Sequence, residues 1–370
     1  MTVLAHLPDL PRLPAYVYDL AGLREHAAGV RAALSGAAEL FYAAKANPDA
    51  PILRALEPFV DGFEVASGGE LEHVRAAVPG APLAFGGPGK TDEELALAGG
   101  VQRLHVESPH ELRRLIALGE RPVDVLLRAN LDLPVRGAAL AMSGPFGMDE
   151  DGLAECAALL PHAPWLRLRG VHAHLASGLD APAMLDLAAR IAGWALPWLA
   201  GLGVDRPELN LGGGMAVDYR NPAHRFDWAA YGSGLAAAGH RARLRIEPGR
   251  AITAYHGWYV TEVLDVKRTR GEAYAVLRGG THHLRTPVTK GHDQPFTVLG
   301  TGTGPALGPG PVTLVGQLCT PKDVFATRVE APGLRVGDRV AFGMAGAYAW
   351  NISHHGFLMH PRPDFHYVSG

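Results

Sequence analysis

The chain has little cysteine and no long run of charge or of hydrophobic residues. Only two cysteines, Cys156 and Cys319, occur among 370 residues, which excludes a disulfide framework and is typical of the reducing cytoplasm. The net charge is −3 and no extended basic tract occurs, so we expect no nucleic-acid binding. No apolar run is long enough to span a membrane, and the N-terminal residues lack the basic and apolar regions of a secretory signal. A globular cytoplasmic protein with room for two domains is expected.

Lysine is scarce as well, with five residues against 29 arginines, so the position of one of them is informative. Lys45 follows an apolar, strand-like run at 40–44. It precedes a predicted helix start, at which Asn47 would be the N-cap and Pro48 the first helical residue. A lysine at the mouth of a sheet with a desolvated amine is a candidate nucleophile that forms an imine with a carbonyl. The alternative is an ordinary lysine at the end of a strand.

Short apolar runs alternate with amphipathic helical patterns from about residue 22 to 252. The predicted strands are 40–44, 62–65, 83–85, 103–106, 123–128, 168–174, 208–211 and 244–247, and predicted helices include 50–56, 69–78, 91–98, 110–118 and 181–199. Eight such units predict an α/β fold, a (β/α)₈ TIM barrel, whose active sites lie at the carboxyl ends of the strands. From residue 253 to 370, short alternating runs separated by Gly and Pro predict an antiparallel β domain.

Seven motifs follow one another along the chain. They are Tyr42-Ala-Ala-Lys45-Ala-Asn47, Glu64-Val-Ala-Ser67-Gly-Gly-Glu70, His172-Ala-His174-Leu-Ala-Ser177-Gly178, Gly212-Gly213-Gly214, Glu247-Pro-Gly249-Arg250, Cys319-Thr-Pro-Lys-Asp323 and Gly346-Ala-Tyr348. In this order they resemble the fold-type III decarboxylases that use pyridoxal 5'-phosphate (PLP), the family of diaminopimelate and ornithine decarboxylases. The resemblance runs from about residue 16 to 348. It implies an alanine racemase-like barrel at 22–252, with residues 1–21 adding a strand to the β domain.

The resemblance also implies which residues hold the cofactor. Lys45 would carry PLP covalently, His174 would stack on its ring, and Glu247 would face the pyridine nitrogen and keep it protonated, so that the ring accepts electrons. Glycines let backbone N–H groups approach a phosphate closely. The remaining implied contacts are Glu64, Arg128, Ser177, Gly212, Gly213, Gly214, Gly249, Arg250 and Tyr348.

The His-x-His pair has a second interpretation. His172 stands two residues before His174 in a predicted strand, and we interpret it as structural and as pointing to the side opposite to the cofactor. A His-x-His pair also suits a metal ion, but no carboxylate or thiol stands at a suggestive spacing. We therefore predict no metal site.

The resemblance gives the two cysteines different roles. Cys156 lies in a helical pattern and is expected to be a buried, small apolar residue. Cys319 is implied to reach the active site of the other subunit and to return a proton to Cα after carbon dioxide leaves. A homodimer with shared active sites is therefore expected.

The residues after Cys319 depart from the decarboxylases of basic amino acids. Those enzymes follow this cysteine with an acidic residue, whereas this chain has Thr320, followed by Pro321 and Lys322. Together with cationic and imidazole groups elsewhere, this favours a polycarboxylate substrate. The pattern resembles the siderophore-biosynthesis branch that decarboxylates citryl-diaminopropionate on the way to staphyloferrin B. The expected substrate-binding residues are Arg285, Thr320, Lys322, Asp323, His354 and His355.

Four other functions compete with this one. A diaminopimelate or ornithine decarboxylase would need the acidic residue that is absent after Cys319. A PLP-carrying regulatory protein of the same barrel would lack the β domain and the cysteine loop. A racemase of the same fold would have an arginine in place of Glu247. A decarboxylase of a carrier-bound glutamyl group stays open, because one sequence does not reveal a docking surface.

Overall fold

The computed structural model describes residues 7–142, 144–285 and 292–369, and the chain divides into two compact units. The barrel unit comprises Arg24–Ala216 and Arg225–Ile252, and the β unit comprises Met1–Leu23, Val217–His224 and Thr253–Gly370. The predicted domains differ from these units chiefly because residues 217–224 group with the β unit.

The barrel unit contains a closed barrel of eight parallel strands. After β1 (Ala15–Asp19), which belongs to the β unit, come β2 (Glu39–Ala43), β3 (Gly62–Val65), β4 (Leu83–Phe85), β5 (Arg103–Val106), β6 (Val123–Arg128), β7 (Leu140–Ala141), β8 (Leu166–His172), β9 (Ala176–Ser177), β10 (Glu208–Asn210) and β11 (Arg243–Ile246). The barrel order is β10-β11-β2-β3-β4-β5-β6-β8, and β7 pairs with β9 in a separate ribbon. The predicted TIM barrel is confirmed, and each predicted strand lies within two residues of an observed one.

Helices follow the strands, and most of them begin after a polar N-cap residue. They are α1 (Leu20–Leu34), α2 (Ala50–Leu56), α3 (Gly68–Ala77), α4 (Asp92–Leu97), α5 (Pro109–Ala117), α6 (Glu150–Leu159), α7 (Ala181–Gly201), α8 (Trp228–Ala238) and α9 (Arg250–Thr253). The predicted range of α2, 50–56, is confirmed, but the predicted N-cap, Asn47, was wrong. Asp49 is its N-cap, and the side chain of Asn47 accepts the N–H of Asp49 instead, in extended backbone ahead of the helix.

The amino ends of the barrel strands are joined by a buried ion pair. Arg103, the first residue of β5, donates from Nε to Oε2 of Glu208, the first residue of β10, at 2.6 Å. These strands are not neighbours in the barrel order, so the pair crosses the interior. Breaking such a pair leaves an uncompensated buried charge and costs stability far from the carboxyl ends, where the candidate site lies.

In its described residues, the β unit contains a large sheet of mixed direction and a separate two-stranded sheet of β15 and β18, whose ranges follow. Its strands after β1 are β12 (Gly257–Thr269), β13 (Glu272–Leu277), β14 (Phe296–Val298), β15 (Ala306–Leu307), β16 (Gly310–Val315), β17 (Val324–Ala331), β18 (Leu334–Arg335), β19 (Arg339–Phe342) and β20 (Asp364–Val368). Most pairs are antiparallel, as predicted, but β13 pairs in parallel with β16 and β1 in parallel with β20. The N-terminal strand β1 joins this sheet by pairing with β12. Among the described residues, no helix is long and apolar enough to cross a membrane.

Candidate active site

Lys45 lies just beyond β2, in a short 3₁₀ turn (Ala44–Ala46), next to a carboxylate of the adjacent strand. Its Nζ donates to Oε2 of Glu64 at 2.6 Å. The side chain of Lys45 is 45% exposed and that of Glu64 is 6% exposed. The prediction of a desolvated amine was therefore wrong. The amine is accessible at the carboxyl ends of the strands, and Glu64 fixes its position.

Glu247 follows β11 and is a buried carboxyl in the same part of the barrel. Burial raises the pKa of Glu247 to about 7, and the negative charge of Glu64 adds to the rise. A hydrogen bond from Nδ2 of Asn210 at 2.6 Å, with the charges of Lys45 and Arg245, acts in the opposite direction. A carboxyl with this balance is suited to sharing a proton with a basic nitrogen near neutral pH.

His174 lies against the glycine loop that follows β10. Its Nδ1 accepts the N–H of Gly213 at 2.8 Å, which leaves the proton of the neutral ring on Nε2. Burial lowers the pKa of His174 to about 3, and the positive charges of Lys45 and Arg128 lower it further. The ring is therefore neutral at physiological pH and offers an uncharged flat face for stacking.

The glycine loop can be made only of glycine. Gly212 and Gly214 have φ angles of +66° and +100°, a region that favours glycine. A Cβ on Gly212 would lie 2.3 Å from Nδ1 of His174, and one on Gly214 would lie 2.4 Å from the carbonyl oxygen of Ala176. The N–H of Gly178 also donates to the carbonyl oxygen of Gly214 at 2.7 Å, so the loop is fixed beside Ser177.

These residues fit PLP. An accessible amine (Lys45), a neutral ring (His174), a buried carboxyl (Glu247) and a close-approach glycine loop come together at the carboxyl ends of β2, β8, β10 and β11. Gly249 and Arg250 come two and three residues after Glu247, and Arg250 begins α9. Each group corresponds to one requirement of the cofactor: covalent attachment, ring packing, a pyridine partner and a phosphate cradle.

Arg128, the last residue of β6, is buried and held by a carboxylate that the sequence did not single out. Its Nη1 donates to Oε1 of Glu107 at 2.5 Å, and its guanidinium lies 5.0 Å from the ring centre of Phe146. The other oxygen of Glu107 accepts the N–H of Gly147 at 3.0 Å. Arg128 is therefore fixed at the carboxyl end of its strand, as expected for a residue that lines the cofactor pocket.

Two further polar side chains from the barrel interior, His105 and Asn210, were missed by sequence analysis. His105 is fully buried and stacks on His172, with ring centres 4.3 Å apart. Nε2 of His172 lies 3.5 Å from Oε2 of Glu247. The expectation that no carboxylate joins the His-x-His pair, and that His172 points away from the site, was wrong. The available signal was a polar residue between two apolar ones in each of the predicted strands 103–106 and 208–211.

The ligand-type atoms of His105, His172 and Glu247 lie within 4.8 Å of one another, which is compatible with a metal ion. Hydrogen bonding argues for a different arrangement. The amide of Asn210 already donates to Oε1 of Glu247 and contacts Nε2 of His105 at 3.3 Å. Because two of the three atoms are engaged in this way, we interpret the cluster as a hydrogen-bonded network.

In the β unit, Cys319 lies on an exposed turn between β16 and β17. The turn is held by Asp323, which is 2% exposed. Oδ2 of Asp323 accepts the N–H of Leu318 at 2.8 Å, and Oδ1 accepts the N–H of Thr281 at 2.6 Å. Asp323 thus positions the thiol turn, and its predicted contact with a substrate amine stays a prediction. Thr320 and Lys322 follow on the same turn, with Lys322 exposed.

Arg285, predicted to bind the substrate, and Tyr348, predicted to bind the cofactor, line the same pocket of the β unit. Tyr219, His292 and Ile352 also contribute to its wall. The N–H of Arg285 donates to Oγ of Ser353 at 2.9 Å, and its side chain is exposed. His354 and His355 follow on the surface, and His355 stacks on Trp350 with ring centres 4.3 Å apart. Cationic and imidazole groups are therefore concentrated in this part of the unit, as a polycarboxylate site requires.

Comparison with known proteins identifies a family and several relatives of similar sequence. The family described as pyridoxal-dependent decarboxylase, pyridoxal binding domain, matches residues 20–254. The chain is 40% identical over 374 residues to the 2-[(L-alanin-3-ylcarbamoyl)methyl]-2-hydroxybutanedioate decarboxylase of Staphylococcus aureus, a match that covers 96% of this chain and 94% of that protein. It is 28% identical to the L-glutamyl-[BtrI acyl-carrier protein] decarboxylase of Niallia circulans, over 95% of this chain and 87% of that one.

A solved structure supports the fold over the same length. A diaminopimelate decarboxylase variant of Helicobacter pylori, in complex with L-lysine, superposes with a TM-score of 0.87 at 25% identity. The match covers 99% of this chain and 94% of that one.

Proposed function

The chain belongs to the pyridoxal-dependent decarboxylases, and from this membership we propose that it removes the α-carboxylate of an amino acid whose distal end is a citryl group. The observation that carries the proposal is the 40% identity to the S. aureus decarboxylase over nearly the full length of both chains. The substrate in that protein's name has an alanine end, an amide link, and a hydroxyl group with two carboxylates at the far end. A fold-level likeness alone would not support a choice of substrate.

The charges of the β unit support an anionic distal group. The turn after Cys319 continues with Thr320 and the exposed Lys322, and Arg285 is exposed in the pocket that Tyr348 also lines. A carboxylate held by arginine forms two parallel charge-assisted hydrogen bonds, each stronger than a neutral one. A substrate with a second ammonium, such as diaminopimelate, would gain no counter-charge from Lys322.

Each residue of the candidate site has one task in this proposal. Bound PLP supplies an electron sink for the pair that the departing carboxylate leaves behind. Lys45 binds the cofactor covalently, and Glu247 holds a proton on the pyridine nitrogen. His174 packs against the ring, and the glycine loop with Ser177, Gly249, Arg250 and Tyr348 binds the phosphate. Sγ of Cys319 donates a proton to Cα.

A homodimer completes the proposed site, with Cys319 of one subunit serving the Lys45 of its partner. Cys319 is exposed, so it is available to a second chain. The segment Phe357–Met359 leaves apolar side chains in solvent, and Met359 is 90% exposed. Exposed apolar groups of this kind are typical of an interaction surface.

The experiment that tests the substrate is product analysis by mass spectrometry. Purified protein with PLP is incubated with the citryl conjugate of L-2,3-diaminopropionate, with diaminopimelate, ornithine and lysine, and with glutamate attached to a carrier protein. We expect the citryl conjugate to lose one carbon dioxide fastest. An isotope label in the α-carboxylate should leave as gas, whereas a label in a citryl carboxylate should stay in the product.

The same panel separates the competing functions. The N. circulans relative makes the carrier-bound substrate the second candidate, and faster release from the carrier-bound glutamyl group would favour it. Turnover of diaminopimelate above that of the citryl conjugate would contradict the proposal. The Lys45→Ala variant is the control for release that does not depend on the site.

A further inference from the structure

Asn210 makes three polar contacts at the end of β10, where it is 1% exposed. Its Oδ1 accepts the N–H of Gly212 at 3.0 Å. Its Nδ2 lies 2.6 Å from Oε1 of Glu247 and 3.3 Å from Nε2 of His105. A backbone N–H can only donate, so the contact with Gly212 fixes which end of the amide is the oxygen. The amide nitrogen must then face Glu247 and His105.

This orientation also fixes the state of His105. Since Nδ2 of Asn210 has two protons and no lone pair to offer, Nε2 of His105 accepts, and the ring's proton lies on Nδ1. Burial lowers the pKa of His105 well below its ordinary value, and the nearby Arg245 lowers it further. His105 is therefore a neutral acceptor and does not compete with Asn210 as a donor to Glu247.

His172 lies beside the carboxyl of Glu247 without giving it a strong hydrogen bond. Its Nε2 lies 3.5 Å from Oε2 of Glu247, which is long for a hydrogen bond. Neither ring nitrogen of His172 has a hydrogen-bond partner among the described residues. Burial lowers the pKa of His172 well below its ordinary value, so this ring is neutral too. Among the described residues, Asn210 is thus the close side-chain donor to Glu247, and the neutral rings of His105 and His172 lie beside the carboxyl.

We propose that Asn210 is a positioning residue that keeps Glu247 ionised and oriented, and that ties this carboxylate to the glycine loop through Gly212. The inference rests on the proposed function, because Glu247 is assigned to the pyridine nitrogen there. One amide side chain would then couple the two ends of the bound cofactor, the ring nitrogen and the phosphate. The glycine loop is further linked to Glu247 by the backbone, since the N–H of Glu247 donates to the carbonyl oxygen of Gly212 at 2.8 Å.

Influences of both signs act on the pKa of Glu247, so the loss of one hydrogen-bond donor should shift this pKa. Burial and the charge of Glu64 raise the pKa of Glu247 to about 7, and the Asn210 hydrogen bond is the largest influence that lowers it. The other charged or titratable groups facing this cluster are Lys45, Glu64, Lys90, Arg128, His174 and Arg245. They are unchanged in an Asn210 variant, so a difference from wild type reports on Asn210.

Asn210→Asp separates the two tasks of the side chain. The aspartate keeps an acceptor for the N–H of Gly212, but it replaces the donor to Glu247 by a second carboxylate. Two adjacent carboxyls cannot both ionise easily, so this pair should retain a proton to a higher pH than Glu247 does in the wild-type protein. In the infrared spectrum of the cofactor-free protein, the protonated-carboxyl band that Glu247→Gln removes should therefore persist to a higher pH. With PLP bound, the pH midpoints of the cofactor absorbance and of kcat should rise by about the same amount, while PLP affinity changes little.

Asn210→Leu removes both contacts and should lower PLP affinity as well. The matched control is Glu208→Gln, at the other end of the same strand, where Glu208 pairs with Arg103. This control should lower the melting temperature and leave every pH midpoint unchanged. A purely structural role for Asn210 would give the same result in the Asn210 variants as in the control.

A double variant that exchanges the amide and the carboxylate controls for misfolding of Asn210→Asp. The double variant Asn210→Asp with Glu247→Gln restores one amide and one carboxylate with their roles exchanged, so its melting temperature should exceed that of Asn210→Asp alone. No recovery, or unshifted midpoints in an active Asn210→Asp enzyme, would overturn the inference and leave the proposed function intact. If wild-type protein neither binds PLP nor releases carbon dioxide, the proposed function fails, and the infrared titration still decides whether Asn210 controls the ionisation of Glu247.

Discussion

The ammonium of Lys45 lies 2.6 Å from Oε2 of Glu64, at the carboxyl ends of the adjacent strands β2 and β3. This contact fixes an accessible amine where the barrel places its chemistry. Borohydride reduction of the PLP-loaded protein should therefore fix the cofactor on Lys45, which peptide mapping would reveal. Lys45→Ala should lose the label and nearly all activity. Lys267→Ala, which alters an exposed lysine of the β unit, should keep both, and a label on Lys267 or Lys322 would contradict the assignment.

The barrel rim was predictable from sequence because its signals are local. A buried parallel strand is a short apolar run, and the residue that ends it lies at the carboxyl end whatever the neighbouring strands are. This placed Lys45, Glu247 and the glycine loop correctly before their neighbours were known. The N-cap of α2 was placed two residues too early because Asn47 is followed by proline, which favours extended backbone at Asn47, and Asp49 is the N-cap instead.

The barrel interior was not predictable in the same way. His105 and Asn210 come from β5 and β10, which are 105 residues apart in sequence and not neighbours in the barrel. Their contact exists only after the barrel closes, and nothing in their local pattern specifies the partner.

Strand direction in the β unit was not predictable from the sequence for a related reason. Parallel and antiparallel strands share a side-chain period of two, so the sequence pattern does not distinguish the parallel pairing of β13 with β16 from an antiparallel one.

Subunit mixing tests whether Cys319 serves the site of a partner. Lys45→Ala and Cys319→Ala should each be inactive, but mixed dimers would contain one site with both groups intact. At random exchange about half of the dimers are mixed, so recovery of up to about a quarter of wild-type activity is expected. Subunit exchange can be followed by native mass spectrometry. The control is the double variant Lys45→Ala with Cys319→Ala, whose dimers contain no intact site and should stay inactive. No recovery in the mixture of single variants, despite complete exchange, would place both residues in the site of a single chain.

Arg285→Gln tests recognition of the distal carboxylates. A charge-assisted hydrogen bond that is partly shielded from water contributes about 1.5–3 kcal/mol. Its loss should lower kcat/KM for the citryl conjugate on the order of tenfold to a hundredfold, mainly through KM, and should leave a neutral amino acid nearly unaffected. Arg268→Gln, on an exposed arginine of β12, is the matched control. Equal losses on both substrates would mean that Arg285 supports the fold of its loop and does not select the substrate.

Glu247→Gln should change stability in opposite directions with and without the cofactor. The pKa of Glu247 is raised from its ordinary 4.5 to about 7 in the folded chain. As pH rises through this window, the unfolded chain releases a proton that the folded chain retains, so the contribution of Glu247 is fully favourable below about 4.5 and is lost by about 7. Glutamine has no proton to release, and the cofactor-free variant should therefore be more stable than wild type at pH 8, by up to the order of 3 kcal/mol, but not at pH 4.

With PLP bound the sign should reverse, because the carboxylate then has a protonated pyridine nitrogen to pair with and glutamine does not. Melting temperatures measured with and without PLP across this pH range would reveal both effects. The control is Glu72→Gln, which removes an exposed carboxylate of α3 and leaves the groups around Glu247 unchanged. A cofactor-free Glu247→Gln protein whose difference from wild type does not grow with pH would contradict the raised pKa of Glu247 in the folded chain.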